Sequence, residues 1–245
     1  MGTGALLAVI AGRATLTEVQ IRGAGPARNG GAALAIGEVL AFTDSDCIPE
    51  PGWLAAGLAA LSRGDIVGGR MTVLVQDRSA MTPCEAFESV FAFDNADYVL
   101  RKHFSVTANL FVRRSDFTTV GGFRSGVSED LEWCWRARSL GLRIVYEPEA
   151  VVGHPARHGW IDLRKKWQRL VSEQYRFMSA RPMGTVFWIM RSWALPASIL
   201  PGLVKIGRTK KIAGLRHRLA AAAILIRLRL WRFVESHRTM LRDRS

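Results

Sequence analysis

Two short acidic motifs carry the side chains of this sequence that are best suited to chemistry. Asp44 and Asp46 come directly after an apolar run, whereas Glu129 and Asp130 follow a glycine-rich segment. Two carboxylates one residue apart can share a hard cation with the oxygens of a phosphate ligand. A carboxylate at a helix start, beside a mobile loop, can act as general base toward a hydroxyl.

Each motif taken alone also has a purely structural explanation. The first pair precedes Pro49 and Pro51, so it fits a solvated turn. The second pair fits simple stabilisation of a helix N-terminus, where the macrodipole favours acidic side chains. His154 follows an apolar pair and a glycine, and a lone histidine there is either a metal ligand or a structural residue.

The elements that must position these side chains alternate between helices and strands, which predicts an α/β domain. This domain extends over residues 1–154, with an N-terminal apolar run, Ala5–Ile10, read as a strand. The predicted helices cover 29–38, 53–62, 84–100 and 128–140. The predicted strands cover Val39–Phe42, Ile66–Val75, Ser105–Val112, Arg143–Tyr146 and Val151–Val152, and 119–128 is predicted as a loop.

Charge divides the chain into two parts. Residues 1–154 carry 14 basic and 17 acidic side chains, a net charge of −3, while residues 155–245 carry 20 basic and 4 acidic ones, a net charge of +16. The acidic first part is unsuited to a nucleic-acid surface, and the tail lacks a recognisable nucleic-acid-reading module. The three cysteines are widely spaced without a CxxC pair, which fits a reducing compartment.

The basic second part, 155–245, is predicted to be helical and associated with a membrane surface. Trp160–Met178 is a basic amphipathic pattern, and 212–234 surrounds a short apolar run with arginines, as in interfacial helices. Gly184–Ile206 is mostly apolar but contains one arginine and two prolines. These residues are costly in hydrocarbon, so we expect a helix in the interface, with a single span as the alternative.

Three segments in this order resemble the family 2 glycosyltransferases. They read ARNGGAALAIGEVLAFTDSDCIPEPGWL at 27–54, TANLFVRRSDFTTVGGF at 107–123, and SEDLEWCWRARSLGLRIVYEPEAVVGH at 128–154. The resemblance covers roughly Gly25 to His154 and carries four motifs in the order of the family. It implies a GT-A-like, incomplete Rossmann-like mixed sheet flanked by helices.

The resemblance assigns roles to particular residues. Asp44 and Asp46 match the DxD motif. The match implies that Asp46 holds Mg²⁺ or Mn²⁺ against the nucleotide diphosphate of the donor and that Asp44 contacts the nucleotide or the metal, with His154 as a further metal ligand. Asp130 matches the catalytic base of the ED motif, with Glu129 as its neighbour. The donor side is implied to include Arg28, Asn29 and Asn109, and the acceptor side to include Gly121, Gly122, Phe123 and Trp133.

The implied activity is inverting transfer of a sugar from a nucleotide-sugar donor to a saccharide or lipid-linked acceptor. The expected location is the cytoplasmic face of the cell membrane, in polysaccharide or glycoconjugate synthesis. Only 26 residues precede Ala27, so the usual first nucleotide-binding strand and loop are expected to be missing. The alternative is therefore a catalytically impaired, glycosyltransferase-derived module that acts at a membrane surface or in assembly.

Overall fold

A mixed sheet lies at the centre of the protein, as seen in a computed structural model that describes residues 12–242. Its five strands are β1 (Val39–Phe42), β2 (Ile48–Pro49), β3 (Ile66–Leu74), β4 (Leu110–Arg113) and β5 (Ile144–Pro155). Their order across the sheet is β1-β4-β3-β5-β2, in which β3 and β5 are parallel and the other pairs antiparallel. The mixed α/β architecture is thereby confirmed.

The helices that surround and follow the sheet are longer toward the C-terminus. In chain order they are α1 (Ala24–Leu34), α2 (Trp53–Ala60), α3 (Pro83–Phe91), α4 (Asn95–Lys102), α5 (Arg114–Val120), α6 (Glu129–Ser139), α7 (Trp160–Ser179), α8 (Gly184–Ala197), α9 (Ile199–Arg208) and α10 (Leu215–Arg242).

The alternation of side chains along the strands builds a core on both faces of the sheet. Ile66 and Leu110 pack with α5 and α6 on one face, while their neighbours Val67 and Phe111 pack with α2 on the other. A third apolar cluster joins α3 to α7, α9 and α10. The basic C-terminal helices are therefore packed against the α/β part through α3.

Tertiary contacts change two predicted elements. The single helix predicted over 84–100 is wrong, because Asp94 begins a second helix by accepting a hydrogen bond from the Asp97 N–H, and Asn95 donates to Gly69 of β3. The two short strands predicted around Pro148 are one strand, β5, with an irregular register opposite Gly69 and Arg70.

Other predicted boundaries shift by smaller amounts. The first helix ends at Leu34 rather than Glu38, and a 3₁₀ turn at Thr107–Asn109 occupies part of the predicted strand 105–112. The predicted loop at 119–128 begins after α5, at Gly121. The strand predicted at Ala5–Ile10 lies outside the described residues.

The apolar stretch at 184–206 forms two helices that meet at Ser198, rather than the one element predicted. Within residues 12–242, no helix combines the length and the apolar character needed to cross a membrane. The single span considered for this stretch is thus not found.

Candidate active site

Pairing of β2 with β5 brings Asp46 close to His154. The chain turns after β1 through a hydrogen bond from the Cys47 N–H to the Asp44 carbonyl, and β2 then places Ile48 opposite Gly153. The Asp46 carboxylate lies 3.7 Å from His154 Nε2. A ligand atom from each of Asp46, Cys47 and His154 lies within 4.8 Å of the others, which is close enough for a shared cation.

The His154 ring is oriented by contacts on its other side. Its Nδ1 lies 2.7 Å from the Pro155 carbonyl, and the ring packs against Phe93 with centroids 5.1 Å apart. Donation from Nδ1–H to a carbonyl leaves the lone pair of Nε2 facing Asp46, the tautomer that suits a metal ligand. Burial raises the pKa of the Cys47 thiol to about 11, with the charges of Asp44 and Asp46 adding to the rise.

Arg28 of α1 links the two acidic motifs. Its Nη2 lies 2.5 Å from Asp44 Oδ1, and its Nη1 lies 3.0 Å from Glu129 Oε1. Burial alone would lower the pKa of Arg28, but the two carboxylates outweigh this and raise it. Asp44 therefore faces a guanidinium, so of the two DxD carboxylates only Asp46 lies in the possible cation cluster of the described residues.

Asp130, in the first turn of α6, is held by its neighbours. One of its carboxylate oxygens accepts hydrogen bonds from the Leu131 N–H at 2.8 Å and the Ser128 hydroxyl at 3.2 Å. Burial and the charge of Glu129 raise the pKa of Asp130, and these effects outweigh the hydrogen bonds and Arg28. A raised pKa brings a carboxylate closer to the range useful for a general base.

A cleft of about 850 Å³ runs along α1 and β1 to the first acidic motif. A second cavity of about 290 Å³ lies between α4, α7 and the start of α6, and Asp130 lines it. The side chains that line both spaces are Arg28, Asp44, Glu129, His154, Arg157 and Arg169. The two spaces therefore meet at the carboxylates and at three arginines.

Two basic side chains from the beginning of the C-terminal helical region, Arg157 and Lys166, line the same cavity. Glu88 of α3, which is 2% exposed, accepts hydrogen bonds from Lys166 Nζ at 2.9 Å and from the Arg157 N–H at 2.7 Å. Burial alone would raise the pKa of Glu88, but these cations hold it low. Glu88 thus fixes two positive side chains beside the cavity, a role the sequence analysis missed.

Arg169 and Glu173 add a further ion pair to the cavity wall, with 3.3 Å between Arg169 Nη1 and Glu173 Oε1. Burial raises the pKa of Glu173, and the charges of Glu129 and Asp130 act in the same direction. This pair was not predicted either, because its only signal in the sequence is the i, i+4 spacing on a basic helix.

Two residues predicted on the donor side make hydrogen bonds within the fold. Asn109 is fully buried, accepts a hydrogen bond from Trp53 Nε1 at 2.9 Å and donates to the Ala150 carbonyl at 2.8 Å. Asn29 accepts from the Phe123 N–H and donates to the Phe123 carbonyl, both at 2.8 Å. Both amide groups are thus paired within the fold, and their role on the donor side stays a prediction.

The residues predicted on the acceptor side are also drawn into packing. Trp133 is fully buried and donates to the Gly121 carbonyl at 2.8 Å, while Phe123 packs against it in the core. Both rings therefore belong to the core, and the acceptor-side role of this segment stays a prediction. The Gly122 carbonyl accepts from Arg136 Nη2 at 2.9 Å, which ties the loop to α6.

Comparison with known proteins finds a matching family model and partly matching relatives. Residues 11–123 match the model of glycosyl transferase family 2. Glycosyltransferase AglE of Haloferax volcanii is 30% identical over 146 residues, 58% of this chain and 47% of the relative. The pre-mycofactocin glycosyltransferase of Mycobacterium tuberculosis is 32% identical over 144 residues, 56% of this chain and 31% of the relative. The chain thus spans less than half the length of either.

A solved structure with a similar fold is the mannosyltransferase PcManGT of Pyrobaculum calidifontis, in complex with GDP-Man and Mn²⁺. It aligns with a TM-score of 0.54 over 93% of this chain and 69% of the other, at 16% identity. This likeness agrees with the GT-A-like arrangement of strands and helices.

Proposed function

We propose that the protein moves a sugar from a nucleotide-sugar donor to a hydroxyl group of its acceptor. The reaction class follows the match of residues 11–123 to the model of glycosyl transferase family 2. One observation carries the proposal. Arg28 joins Asp44 to Glu129 where two spaces meet. This arrangement suits a reaction in which donor and acceptor approach one centre from two sides.

The larger cleft is the proposed donor side. It is lined by small side chains of α1 and by β1, and it ends at Asp46, His154, Arg157 and Arg169. A leaving nucleoside diphosphate gains negative charge as its bond to the sugar breaks, so fixed cations near it lower the barrier. Arg157 is well suited to this task because Glu88 already orders it.

Asp46 and His154 are the proposed ligands of a divalent cation, because a carboxylate oxygen and an imidazole nitrogen fit Mn²⁺. Bound there, Mn²⁺ or Mg²⁺ would neutralise diphosphate charge. Mn²⁺ is the first ion to test, since PcManGT was solved with it. Asp44 would act on the nucleotide side through its ion pair with Arg28 rather than as a ligand.

Asp130 is the proposed base. The acceptor hydroxyl oxygen would bond to the anomeric carbon, the bond from that carbon to the diphosphate oxygen would break with its electron pair, and the hydroxyl proton would pass to Asp130. Attack opposite the leaving group inverts the anomeric configuration. The raised pKa of Asp130 and its place in the smaller cavity support this role, with Glu129 holding Arg28 in position.

The proposed acceptor is a saccharide or a lipid-linked sugar at an anionic membrane surface, the cytoplasmic face. The support is the net charge of +16 on residues 155–245 and the exposed apolar side chains of α8, among them Phe187, Met190 and Trp193. Basic helices with exposed aromatic residues favour such surfaces. This part of the proposal is independent of the donor chemistry.

The first experiment is calorimetric titration of GDP and UDP, with Mn²⁺ and with chelator, into wild-type protein, Asp46→Asn and the control Glu149→Gln. Glu149 is an exposed acid on β5. We expect metal-dependent binding that Asp46→Asn weakens at least about tenfold and Glu149→Gln leaves unchanged. A folded wild-type protein that binds neither nucleotide would refute the donor site and favour the impaired module.

The second experiment separates binding from transfer. Asp130→Asn should retain metal-dependent nucleotide binding but lose release of nucleoside diphosphate from UDP- and GDP-sugars offered with simple saccharides and polyprenyl phosphate. A variant as active as wild type would remove Asp130 from the mechanism while leaving the donor site standing. Far-ultraviolet circular dichroism serves as the control for folding.

A further inference from the structure

Three arginines of the C-terminal helices lie close together, and among the described residues no carboxylate pairs with them. Arg191 lies on α8, and Arg229 and Arg232 lie on α10. Burial lowers the pKa of Arg232 to about 9, and repulsion from the other two guanidinium groups adds to this effect. Among the described residues no salt bridge involves any of the three. Three like charges at one place are unfavourable unless an anion joins them.

The central cation, Arg232, has a buried N–H donor with no acceptor among the described residues. Its side chain is 6% exposed and stacks on Trp167, with its guanidinium carbon 3.8 Å from the ring centroid. The stacking leaves the N–H groups of Arg232 free for other partners. Its Nε and the neighbouring Trp167 Nε1 are both buried without a hydrogen-bond partner among the described residues.

Arg191 gives this cluster an exposed side. It donates to Gln174 Oε1 at 2.8 Å and to Met178 Sδ at 3.7 Å, its guanidinium carbon lies 5.7 Å from the centroid of the Trp188 ring, and the residue is exposed to solvent. Arg191, Arg232 and Gln174 line one narrow cleft, and Gln174 also lines the cavity that contains Asp130. Exposed apolar residues near these arginines in sequence are Met190 and Trp193 on α8 and Leu230 on α10. The Trp193 ring packs against Phe233, the residue after Arg232, with centroids 4.9 Å apart.

We propose that Arg191, Arg229 and Arg232 form a binding site for the phosphate group of an anionic amphiphile. Guanidinium groups pair with phosphate oxygens through two parallel hydrogen bonds, and Arg232 has such donors available. The exposed apolar side chains beside the cluster would contact the hydrocarbon chain of the ligand. The site is independent of sugar transfer, since it requires neither the metal ligands nor the acidic motifs.

Binding to vesicles tests the site. The probes are phosphatidylcholine vesicles and equimolar vesicles of phosphatidylcholine and phosphatidic acid, and the proteins are wild type, Arg232→Met and the control Arg238→Met. Arg238 is an exposed arginine on the same helix. We expect Arg232→Met to weaken binding to the acidic vesicles about thirtyfold or more, and Arg238→Met to weaken it at most about fivefold, the effect of one diffuse surface charge.

Equal losses in Arg232→Met and Arg238→Met would overturn the proposal, because binding would then depend on total charge alone. So would undiminished binding by both Arg232→Met and Arg191→Met. Arg191 is exposed, so Arg191→Met keeps the test valid if Arg232→Met folds poorly. Without ligand, we expect Arg232→Met to melt no lower than wild type, because it removes an unpaired buried charge.

Titration with soluble ligands distinguishes a lipid headgroup from a free phosphate as the ligand of this site. Inorganic phosphate, pyrophosphate and short-chain phosphatidic acid are added separately while the melting temperature is followed. Stabilisation by the lipid alone, lost in Arg232→Met, supports a lipid headgroup. Equal stabilisation by inorganic phosphate, also lost in Arg232→Met, supports the same site with a free anion as its ligand. Stabilisation that Arg232→Met retains would assign the phosphate to another site and count against the cluster.

Discussion

Replacing Arg28 by methionine removes the cation that joins the two acidic motifs. Methionine retains most of the apolar stem, so the change chiefly removes the guanidinium. The Arg28 side chain is 14% exposed, and its guanidinium lies 2.5 Å from Asp44 Oδ1 and 3.0 Å from Glu129 Oε1. The substitution leaves both carboxylates, together with the neighbouring Asp130, without the positive charge between them.

The expected cost follows from the burial of the partners. A hydrogen bond to a charged group contributes about 1.5–3 kcal/mol. The Asp44 side chain is 32% exposed and the Glu129 side chain 15%, so solvent screening reduces the full value for two such bonds. We expect Arg28→Met to lower the free energy of unfolding by about 2–3 kcal/mol. For a chain of this size this corresponds to a melting temperature lower by about 4–12 °C.

Urea unfolding of wild type, Arg28→Met, Glu129→Gln and the double variant provides the assay. The double-mutant cycle should give a coupling energy of at least about 1 kcal/mol. The matched control is Arg138→Met, because Arg138 is an exposed arginine on α6.

Two results would refute this reasoning. A free energy of unfolding for Arg28→Met within about 0.5 kcal/mol of wild type, the range of ordinary surface substitutions, would mean that solvent satisfies the carboxylates. An additive double-mutant cycle would mean that Arg28 and Glu129 are not coupled in solution, despite the 3.0 Å between them.

Two further variants test the site and the core. The pKa of Asp130 is raised in the folded state. Its contribution to stability is therefore present below the unfolded pKa and is lost as the pH rises through the folded pKa. Asp130→Asn should melt higher than wild type at pH 7, and a melting-temperature difference that does not shrink in acid would contradict this. A Cβ on Gly57 would overlap the ring of Phe111, so Gly57→Ala should cost about 1–3 kcal/mol of unfolding free energy, measurable by urea titration, whereas an unchanged midpoint would show that the ring can move aside.

Much of the fold follows from local patterns in the sequence. β1, α2 and β3 begin and end close to their predicted bounds, because each is an apolar run with a breaker beside it. β5 was harder to predict, since Pro148 interrupts its pattern and pairing with β3 restores the strand. The break between α3 and α4 likewise depends on hydrogen bonds from Asn95 to distant parts of the chain.

The candidate site was predictable to the extent that its side chains belong to short motifs. Asp44, Asp46, Glu129 and Asp130 all line the two connected spaces. The amides of Asn29 and Asn109 belong to the same matching segments, yet they form hydrogen bonds to backbone groups of the fold. Polarity alone does not distinguish these roles, because a buried amide must find partners whether or not a ligand binds.

The cations of the site could not be predicted from motifs, because their positions depend on long-range pairing. Arg157 and Lys166 reach the cavity through Glu88, whose carboxylate is nearly inaccessible. A glutamate in an apolar helix can be buried only if cations come to it, so Glu88 orients the helix that carries Lys166. The excess basic charge beyond residue 154 is therefore divided between two tasks. Arg157 and Lys166 complete the acidic site through their ion pairs with Glu88. Arg232 forms no ion pair among the described residues and is assigned to the proposed phosphate site.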